Sequence, residues 1–211
     1  GNATDFGNLS VARKDLGGAS SPTRSLFLGG NAPSGSDVID FVTIATAGNA
    51  SDFGYITASM KEVQSSSSPT RGIMGGGNTV PATVNTIQFI TIASTGNASD
   101  FGDLTRTAGS LSTASSATRA VFANGGTNTI DYITIASAGN AIDFGDARSS
   151  RYIINGGVSN STRGVWSGGS TALNLIEFIN FNTLGDALDF GDLSVGRRAV
   201  SYTHLTLPTK A

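Results

Sequence analysis

Short runs of apolar and β-branched residues, separated by clusters of Gly, Asn, Ser and Thr, recur along the chain. The runs are VIDFVTIAT from Val38, TIQFITIAS from Thr86, TIDYITIAS from Thr129 and LIEFINFNT from Leu175. Such runs between turn-forming residues are typical of β-strands. Their apolar residues occupy both alternating positions, so in the first run Ile39 and Val42 should face opposite ways. The pattern therefore predicts strands inside a stack of sheets.

A heptapeptide repeats in step with these runs. It is GNATDFG at Gly1, GNASDFG at Gly48 and Gly96, GNAIDFG at Gly139 and GDALDFG at Gly185. A second marker, Thr-Arg followed by a short apolar segment and a glycine pair, recurs in the same register from Thr23, Thr70, Thr118 and Thr162. A fixed period of about 20–50 residues indicates a repeat architecture. We therefore predict about four tandem units over residues 1–199.

Each unit is predicted to contain four short strands. They are the segment after Thr-Arg, the apolar run, the NAxDFG segment, and a Ser/Thr-rich stretch that leads through a Ser/Pro/Thr turn into the next Thr-Arg. A single small sheet cannot bury two faces by itself, so the units should pack face to face, around an axis or along a line. The predicted fold class is all-β, with one antiparallel meander per unit.

The unit resembles the blade of a kelch-type β-propeller, whose repeats run to about 50 residues. The resemblance rests on the glycine pairs, on an aromatic residue in the apolar strand and on an Arg before the next unit. The glycine pairs are Gly29-Gly30, Gly76-Gly77, Gly125-Gly126 and Gly168-Gly169, and the aromatic residues are Phe41, Phe89, Tyr132 and Phe178. Where kelch units usually place Trp, this chain has Phe6, Phe53, Phe101, Phe144 and Phe190. The resemblance implies a partial kelch-like propeller of about four four-stranded blades.

The sequences ASDFGDL and TIDYITIAS are also similar to repeats in predicted tail-fibre and other virion structural proteins of marine bacteriophages. This resemblance implies a non-enzymatic structural or binding module, on a virion or outside the cell, that contacts other virion proteins or a host-surface glycan or protein. A bacterial secreted or surface adhesion propeller is the alternative. A propeller lyase or oxidase is a third interpretation, but it would need His, Cys or clustered carboxylates at the axis, and residues 1–199 contain neither His nor Cys.

Composition narrows the partners further. Charged residues make up 13% of the chain and the net charge is −2, with no basic stripe that would capture nucleic acid. No apolar run reaches the length of about 18 residues that a membrane-spanning helix needs. We therefore expect no nucleic-acid partner and no membrane span, and no motif indicates a cofactor.

The two ends of the chain differ from its body. Residues 200–211, which include VSYTHLTLPT from Val200, contain the only His and match the translation of a transposase-type sequencing adapter. We interpret them as non-native, which removes His204 as a catalytic candidate. The first residues carry neither an initiator Met nor a signal segment, so we expect a fragment of a longer repeat protein. Its uncovered apolar faces should make it aggregate or fold poorly when it is expressed alone.

A recurrent Arg and a recurrent acid or amide are the first candidate site residues. The arginines are Arg24, Arg71, Arg119 and Arg163, and the residues of the apolar strand are Asp40, Gln88, Asp131 and Glu177. An Arg fork can hold a carboxylate with two hydrogen bonds, so we predict a structural pair within each unit. The alternative is that the arginines line an axial channel and bind an anionic sugar.

The Asp-Phe-Gly motif also occurs in kinases, but the other kinase motifs are missing. Five copies in register favour packing: Phe fills the gap between units, Gly makes a turn, and Asp or Asn side chains bind backbone amides. Alternatively, the Asp and Asn oxygens could bind Ca²⁺, although their spacing does not match an EF-hand. Trp166 is assigned to packing, with stacking on a sugar as the alternative. We predict no catalytic site.

Overall fold

A computed structural model describes residues 2–79, 82–153 and 157–197. These residues form strands and turns, and this part of the chain contains no helix that could cross a membrane. The prediction of an all-β fold is confirmed. Four larger sheets follow one another along the described residues, and each is an antiparallel meander.

The four sheets share one strand order. Sheet 1 consists of β1 (Gly17–Ser20), β2 (Arg24–Leu28), β4 (Ser34–Thr43) and β5 (Ser51–Met60), and β3 (Asn31–Ala32) pairs with the start of β4. Sheet 2 consists of β6 (Gln64–Ser67), β7 (Arg71–Gly75), β10 (Thr86–Thr91) and β11 (Ser99–Asp103), and a separate hairpin joins β8 (Asn78–Thr79) to β9 (Ala82–Thr83). Sheet 3 consists of β12 (Leu111–Ser115), β13 (Arg119–Asn124), β14 (Thr129–Thr134) and β15 (Ile142–Asp146). Sheet 4 consists of β16 (Val158–Ser159), β17 (Arg163–Ser167), β18 (Leu175–Asn180) and β19 (Leu188–Asp192). We call the four main strands of each sheet its first to fourth strand, in chain order.

The Ser/Thr-rich stretch is the first strand of each sheet, whereas the repeat pattern predicts it as the last strand of the preceding unit. It pairs with the Thr-Arg strand that comes after it, so that Ser20 faces Ser25 in sheet 1. The reason lies in the turn between them. The Oγ of Ser21 accepts a hydrogen bond from the backbone N–H of Arg24 at 3.1 Å, and the N–H of Ser21 donates to the carbonyl of Arg24 at 2.9 Å. These bonds close a tight hairpin, which holds both strands in one sheet.

A glycine pair follows the second strand of every sheet, as the sequence predicts. In sheet 1, Gly29 and Gly30 have φ angles of 57° and 108°, which residues with a Cβ rarely adopt. In sheet 3 the first left-handed position is taken by Asn124, with φ of 65°, immediately before the glycine pair. Asn tolerates this conformation better than most residues, so one inserted residue leaves the bend intact.

Apolar side chains fill the space between consecutive sheets. Phe53, from the Asp-Phe-Gly motif of sheet 1, packs in a buried cluster with Met74, Ile90 and Ile92 of sheet 2. Two further clusters contain Phe101 between sheets 2 and 3 and Phe144 between sheets 3 and 4. The prediction that the motif Phe fills the gap between units is confirmed for these three residues. Phe190 of sheet 4 is instead 54% exposed, because no further sheet covers it in the described part of the chain.

The first strands of neighbouring sheets contact one another directly. The hydroxyl of Ser65 donates to the carbonyl of Gly18 at 2.7 Å, and the hydroxyl of Ser115 donates to the carbonyl of Ser67 at 2.9 Å. The same type of bond joins Ser159 to Ser115 at 2.7 Å. These contacts explain why the first strands are rich in Ser and Thr: their hydroxyls replace the backbone ladder that side-by-side strands of different sheets cannot form.

Candidate functional site

The heptapeptide is shared between two sheets. The N–H of Gly96 donates to the carbonyl of Phe53 at 2.7 Å, and the N–H of Ala98 donates to the carbonyl of Tyr55 at 2.8 Å. The Oδ1 of Asn97 accepts a bond from the N–H of Tyr55 at 3.1 Å. The same three contacts recur at the other junctions, with Asn49, Asn140 and Asp186 in place of Asn97. The Gly-Asn-Ala half of each copy therefore binds the Phe-Gly half of the preceding copy.

The motif glycine makes this contact possible. A Cβ on Gly54 would lie 2.4 Å from the carbonyl oxygen of Gly96, and the backbone φ of Gly54 is 146°. Gly102 and Gly145 stand equally close to the next copy, with φ angles of 143° and 146°. At Gly191 no atom lies within 4 Å of such a Cβ. Packing therefore accounts for the Phe and the Gly of Asp-Phe-Gly. The Asn oxygens considered as Ca²⁺ ligands bind backbone N–H groups instead.

The recurrent arginines fasten one sheet to the next. The guanidinium of Arg24 lies 4.9 Å from the ring centroid of Phe41 and donates at 3.0 Å to the carbonyl of Ile92 in sheet 2. Arg71 and Arg119 make the corresponding contacts, stacking on their own sheet's aromatic ring and bonding to the carbonyls of Ile135 and Phe181. Arg163 stacks on Phe178 at 4.8 Å but is exposed and makes no hydrogen bond through its guanidinium to a described residue.

The predicted pairing of these arginines with the recurrent acid or amide is wrong. The register places Arg24 opposite Thr43, three residues from Asp40, so the two side chains point to opposite faces of the sheet. Phe41, two residues from Thr43, lies on the same face as Arg24 and receives the guanidinium. The other sheets have the same register. In every unit, therefore, the recurrent Arg and the acid or amide lie on opposite faces of the sheet and cannot pair.

The acid or amide binds the segment that enters its sheet from the preceding copy. Arg13 forms an ion pair with Asp40 at 2.9 Å, and both side chains are fully buried. Arg106 pairs with Asp131 at 2.8 Å, and Arg151 pairs with Glu177. In the remaining sheet the amide oxygen of Gln88 accepts a bond from the N–H of Thr57 at 2.8 Å. The entering segments are LSVAR from Leu9, YITAS from Tyr55, DLTRT from Asp103 and DARSSR from Asp146.

Arg is thus present where the partner is an acid and absent where it is an amide. This match is the sequence signal that could have revealed the true pairs. Burial raises the pKa of the Asp131 carboxyl, because loss of hydration outweighs the bonds from Thr105 and the charge of Arg106. Burial likewise lowers the pKa of the Arg106 and Arg151 guanidinium groups. An unpaired charge at these positions would be strongly unfavourable.

The turns at one end of the sheets have the same lengths in all four copies. We call this end the repeated-turn face; it consists of the turns between first and second strands and between third and fourth strands. The former all span three residues, and the latter all span seven, namely residues 44–50, 92–98, 135–141 and 181–187. The seven-residue turns contain the Gly-Asn-Ala segments or their Gly-Asp-Ala equivalent. Their uniformity follows from the contacts between sheets that they must make.

The connections at the opposite end differ from copy to copy. We call this end the variable-loop face. The connections between second and third strands are residues 29–33, 76–85, 125–128 and 168–174, and residues 61–63, 104–110 and 147–153, which lead from one sheet toward the next, lie at the same end. The connections between second and third strands differ in both length and sequence after the glycine pair. Variation in the length of the connections between second and third strands marks these loops as the least uniform part of the repeated unit.

Tyr152 stands out on the variable-loop face, with 53% of its surface exposed. Its hydroxyl lies 2.7 Å from where a Cβ of Gly126 would be, and its carbonyl accepts a bond from the N–H of Ser170 at 2.9 Å. Nearby, the hydroxyl of Ser150 donates to the carbonyl of Gly126 at 2.7 Å. Tyr152 therefore contacts two variable loops, with its side chain against the loop of sheet 3 and its backbone bonded to the loop of sheet 4.

Three non-glycine residues with left-handed backbone lie on the same face. Asp15, Glu62 and Ser110 occupy equivalent positions and have φ angles of 54°, 57° and 54°. They form a row, because the N–H of Glu62 donates to the carbonyl of Asp15 at 3.0 Å and the hydroxyl of Ser110 donates to Glu62 Oε2 at 2.9 Å. Such backbone carries strain that surrounding contacts must offset, and it is enriched at binding sites.

Three other sequence-based candidates remain: Trp166, a metal site and His204. Trp166 is 1% exposed and its Nε1 donates to Glu177 Oε1 at 2.5 Å, so it packs in the core and is not available to a sugar. No group of three or more acidic or histidine side chains that could hold a metal ion is found in residues 2–79, 82–153 and 157–197. His204 and the adapter-like residues 200–211 lie outside the described residues.

Comparisons with known proteins do not place the chain in a family. No protein-family model matches it, and no curated protein shows significant similarity to it.

Proposed function

We propose that the chain is a non-enzymatic binding module that uses its variable-loop face to contact a glycan or a protein. The observation that carries the proposal is the contrast between the two ends of the sheets. The repeated-turn face has the same turn lengths in all four copies, whereas the variable-loop face has loops of different length and sequence on a constant scaffold. Binding residues are typically placed on such loops.

A carbohydrate is the ligand that Tyr152 favours. The exposed ring offers an apolar surface on which the face of a sugar can stack. The loops around it are rich in Asn, Ser and Thr, whose amides and hydroxyls can bond to sugar hydroxyls. This arrangement needs neither a metal ion nor a nucleophile.

We further infer that the four sheets are blades of a kelch-like β-propeller. Two features support this arrangement. The first strands of adjacent sheets touch directly through their hydroxyls, whereas the fourth strands are separated by the seven-residue turn of the next sheet. Sheets that are closer at one edge than at the other fan out around a common axis, as blades do. The kelch resemblance itself stays a prediction.

A glycan array probed with the fluorescently labelled 211-residue chain tests the function. Tyr152→Ala should weaken binding by at least about tenfold, the effect of losing one well-placed contact. Thr95→Ala, at an exposed position of the repeated-turn face, is the matched control and should bind like the unaltered chain. Binding that survives Tyr152→Ala, or that Thr95→Ala removes, would contradict the proposed face.

The phage or bacterial source and the virion or extracellular location stay predictions from sequence. Neighbouring genes distinguish them: capsid and tail genes would support a virion protein, and an upstream secretion signal would support a bacterial surface protein.

A further inference from the structure

Sheet 1 has one side that no sheet covers in the described part of the chain. We call this side the leading face and define it by Phe27, Val42 and Ile44. The equivalent side chains of sheets 2, 3 and 4 are all buried against the preceding sheet. Phe27 corresponds to Met74, Phe122 and Trp166, Val42 corresponds to Ile90, Ile133 and Ile179, and Ile44 corresponds to Ile92, Ile135 and Phe181. On the leading face Phe27 and Val42 are only half-buried, and Ile44 is 45% exposed. The leading face therefore has the composition of an interior surface.

Sheet 4 has the complementary side, which we call the trailing face and define by Val165, Ile176 and Phe190. Their equivalents in sheets 1 to 3 are buried under the following sheet. Val165 corresponds to Leu26, Ile73 and Val121, Ile176 corresponds to Ile39, Ile87 and Ile130, and Phe190 corresponds to Phe53, Phe101 and Phe144. On sheet 4 Val165 and Ile176 are half-buried and Phe190 is 54% exposed. The trailing face is thus the other half of an interface that the chain forms three times internally.

The segments attached to these faces are nearly the same in sequence. Residues 6–13 read FGNLSVAR and residues 190–197 read FGDLSVGR, with six of eight positions identical. The first segment lies on sheet 1, where the N–H of Gly48 donates to the carbonyl of Phe6 at 2.7 Å and Arg13 pairs with Asp40. Ser10 Oγ also donates to Asp40 Oδ1 at 2.7 Å. Residues 190–197 contain every side chain that these contacts use, including the equivalents Ser194 and Arg197.

We propose that a second copy of this chain binds head to tail. The trailing face of one copy docks on the leading face of the next, and residues 190–197 of the first take the place of residues 6–13 of the second. The exchange itself is nearly neutral, because one segment replaces another of almost the same sequence on the same groups. What is gained is the burial of the two apolar faces and a carbonyl acceptor for Arg163, which its equivalents find on the next sheet.

The second copy is the partner that the structure itself offers. Sheet 1 presents together a buried carboxylate for Arg197, the Gly-Asn-Ala segment at Gly48 for Phe190 and Gly191, and the apolar leading face. The proposed contact continues the interface between consecutive sheets, so its geometry already exists in the molecule. Since the two surfaces differ, the contact is heterologous and leads to open chains or rings.

Sedimentation velocity of the 211-residue chain over a series of concentrations tests the proposal. We expect reversible association, weakened at least about tenfold in dissociation constant by Phe190→Asp or by Ile44→Asp, because each places a charge in an apolar contact. Leu188→Asp is the matched control. Leu188 is 59% exposed, and its equivalent Ile142 is equally exposed although a sheet follows it, so this position lies outside the interface.

A mixing experiment distinguishes this interface from non-specific association. Phe190→Asp keeps an intact leading face and Ile44→Asp keeps an intact trailing face, so each variant should be monomeric alone and the two should form a one-to-one dimer when mixed. Circular dichroism establishes that both variants are folded. A monomeric unaltered chain at every concentration, aggregation that all three variants leave unchanged, or failure of the mixture to dimerise would each overturn the proposal. The first of these results would also be the outcome if the trailing face closed on the leading face of its own chain.

Discussion

At the scale of single residues, the motif glycine has the narrowest tolerance. Its conformation and its distance from the next copy both exclude a side chain, whereas the Asp, Asn and Phe around it act through hydrogen bonds and packing. The contact is backbone to backbone, so the neighbouring residue cannot move aside as a flexible side chain would. The chain therefore depends on Gly at this position wherever another copy follows.

We predict that Gly102→Ala lowers the free energy of unfolding by about 2 kcal/mol or more, from backbone strain together with the clash at Gly139. Gly191→Ala carries a similar backbone strain, with φ of 134°, but meets no atom within 4 Å. Urea denaturation of both variants at low concentration measures the difference. If the two variants lose the same free energy of unfolding, the close approach between copies adds nothing to the requirement for Gly.

At the scale of elements, the entering segment and the third strand of each sheet form one buried polar unit. The segment supplies Arg at one of two nearby positions, and the strand supplies the acid. Sheet 2 has neither the Arg nor the acid. Gln88 takes the place of the acid and bonds to a backbone N–H, and Met60 takes the place that Arg13 and Arg151 have in their segments. Charged and neutral versions of the same contact thus occur within one chain.

This pairing leads to a rescue prediction. Gln88→Glu should destabilise the protein by about 3 kcal/mol at neutral pH, because it buries an unpaired carboxylate. Adding Met60→Arg should recover a large part of that loss by restoring the pair seen in the other sheets. Thermal unfolding of both single variants and of the double variant gives the coupling between them. Additive effects of the two substitutions would argue against a shared contact.

The repeat and the strands could be predicted from sequence because each strand carries its own alternating pattern and each turn its own Gly, Ser or Pro. The partner of Asp40 could not be predicted in the same way. It depends on whether Arg24 and Asp40 lie on the same face of the sheet. The register between β2 and β4 decides this, and the connecting residues 29–33 set that register without an obvious sequence signal. The entering segment before Gln88 contains no Arg, and this indicates that the acids pair with the entering segments. The signal is visible only when all four copies are compared.

The sequence pattern assigns the Ser/Thr-rich strand to the wrong sheet for a related reason. The Ser/Thr-rich strand is weak as a strand pattern, and its position between two markers is compatible with either sheet. The turn geometry at Ser21 decides the matter, since its hydrogen bonds join this strand to the Thr-Arg strand of the same sheet. The variable-loop face, in contrast, could be located only when the topology had shown which connections share one end.

At the scale of the whole molecule, stability should depend on how many neighbours a sheet has. Within the described residues, sheets 2 and 3 are covered on both sides, and sheets 1 and 4 on one. In repeat architectures each unit adds its own stability and that of its interfaces with its neighbours. The middle of the stack should therefore open last.

Hydrogen exchange measured by mass spectrometry tests this gradient. At low protein concentration, amides of β13 should be protected at least about tenfold more than those of β2 and β17, because local opening in the outer sheets breaks one interface and not two. Equal protection in all four sheets would contradict this prediction and would indicate that the described residues unfold as one unit.

The division of the heptapeptide between two sheets also has a genetic consequence. Unequal recombination between copies adds or removes a whole repeat, and every junction in the product still brings a Gly-Asn-Ala or Gly-Asp-Ala segment against a Phe-Gly segment. Gain or loss of a copy therefore leaves the heptapeptide contacts between neighbours intact. The number of repeats can change between related genes in a single step, and the loops of the variable-loop face can diverge afterwards, copy by copy.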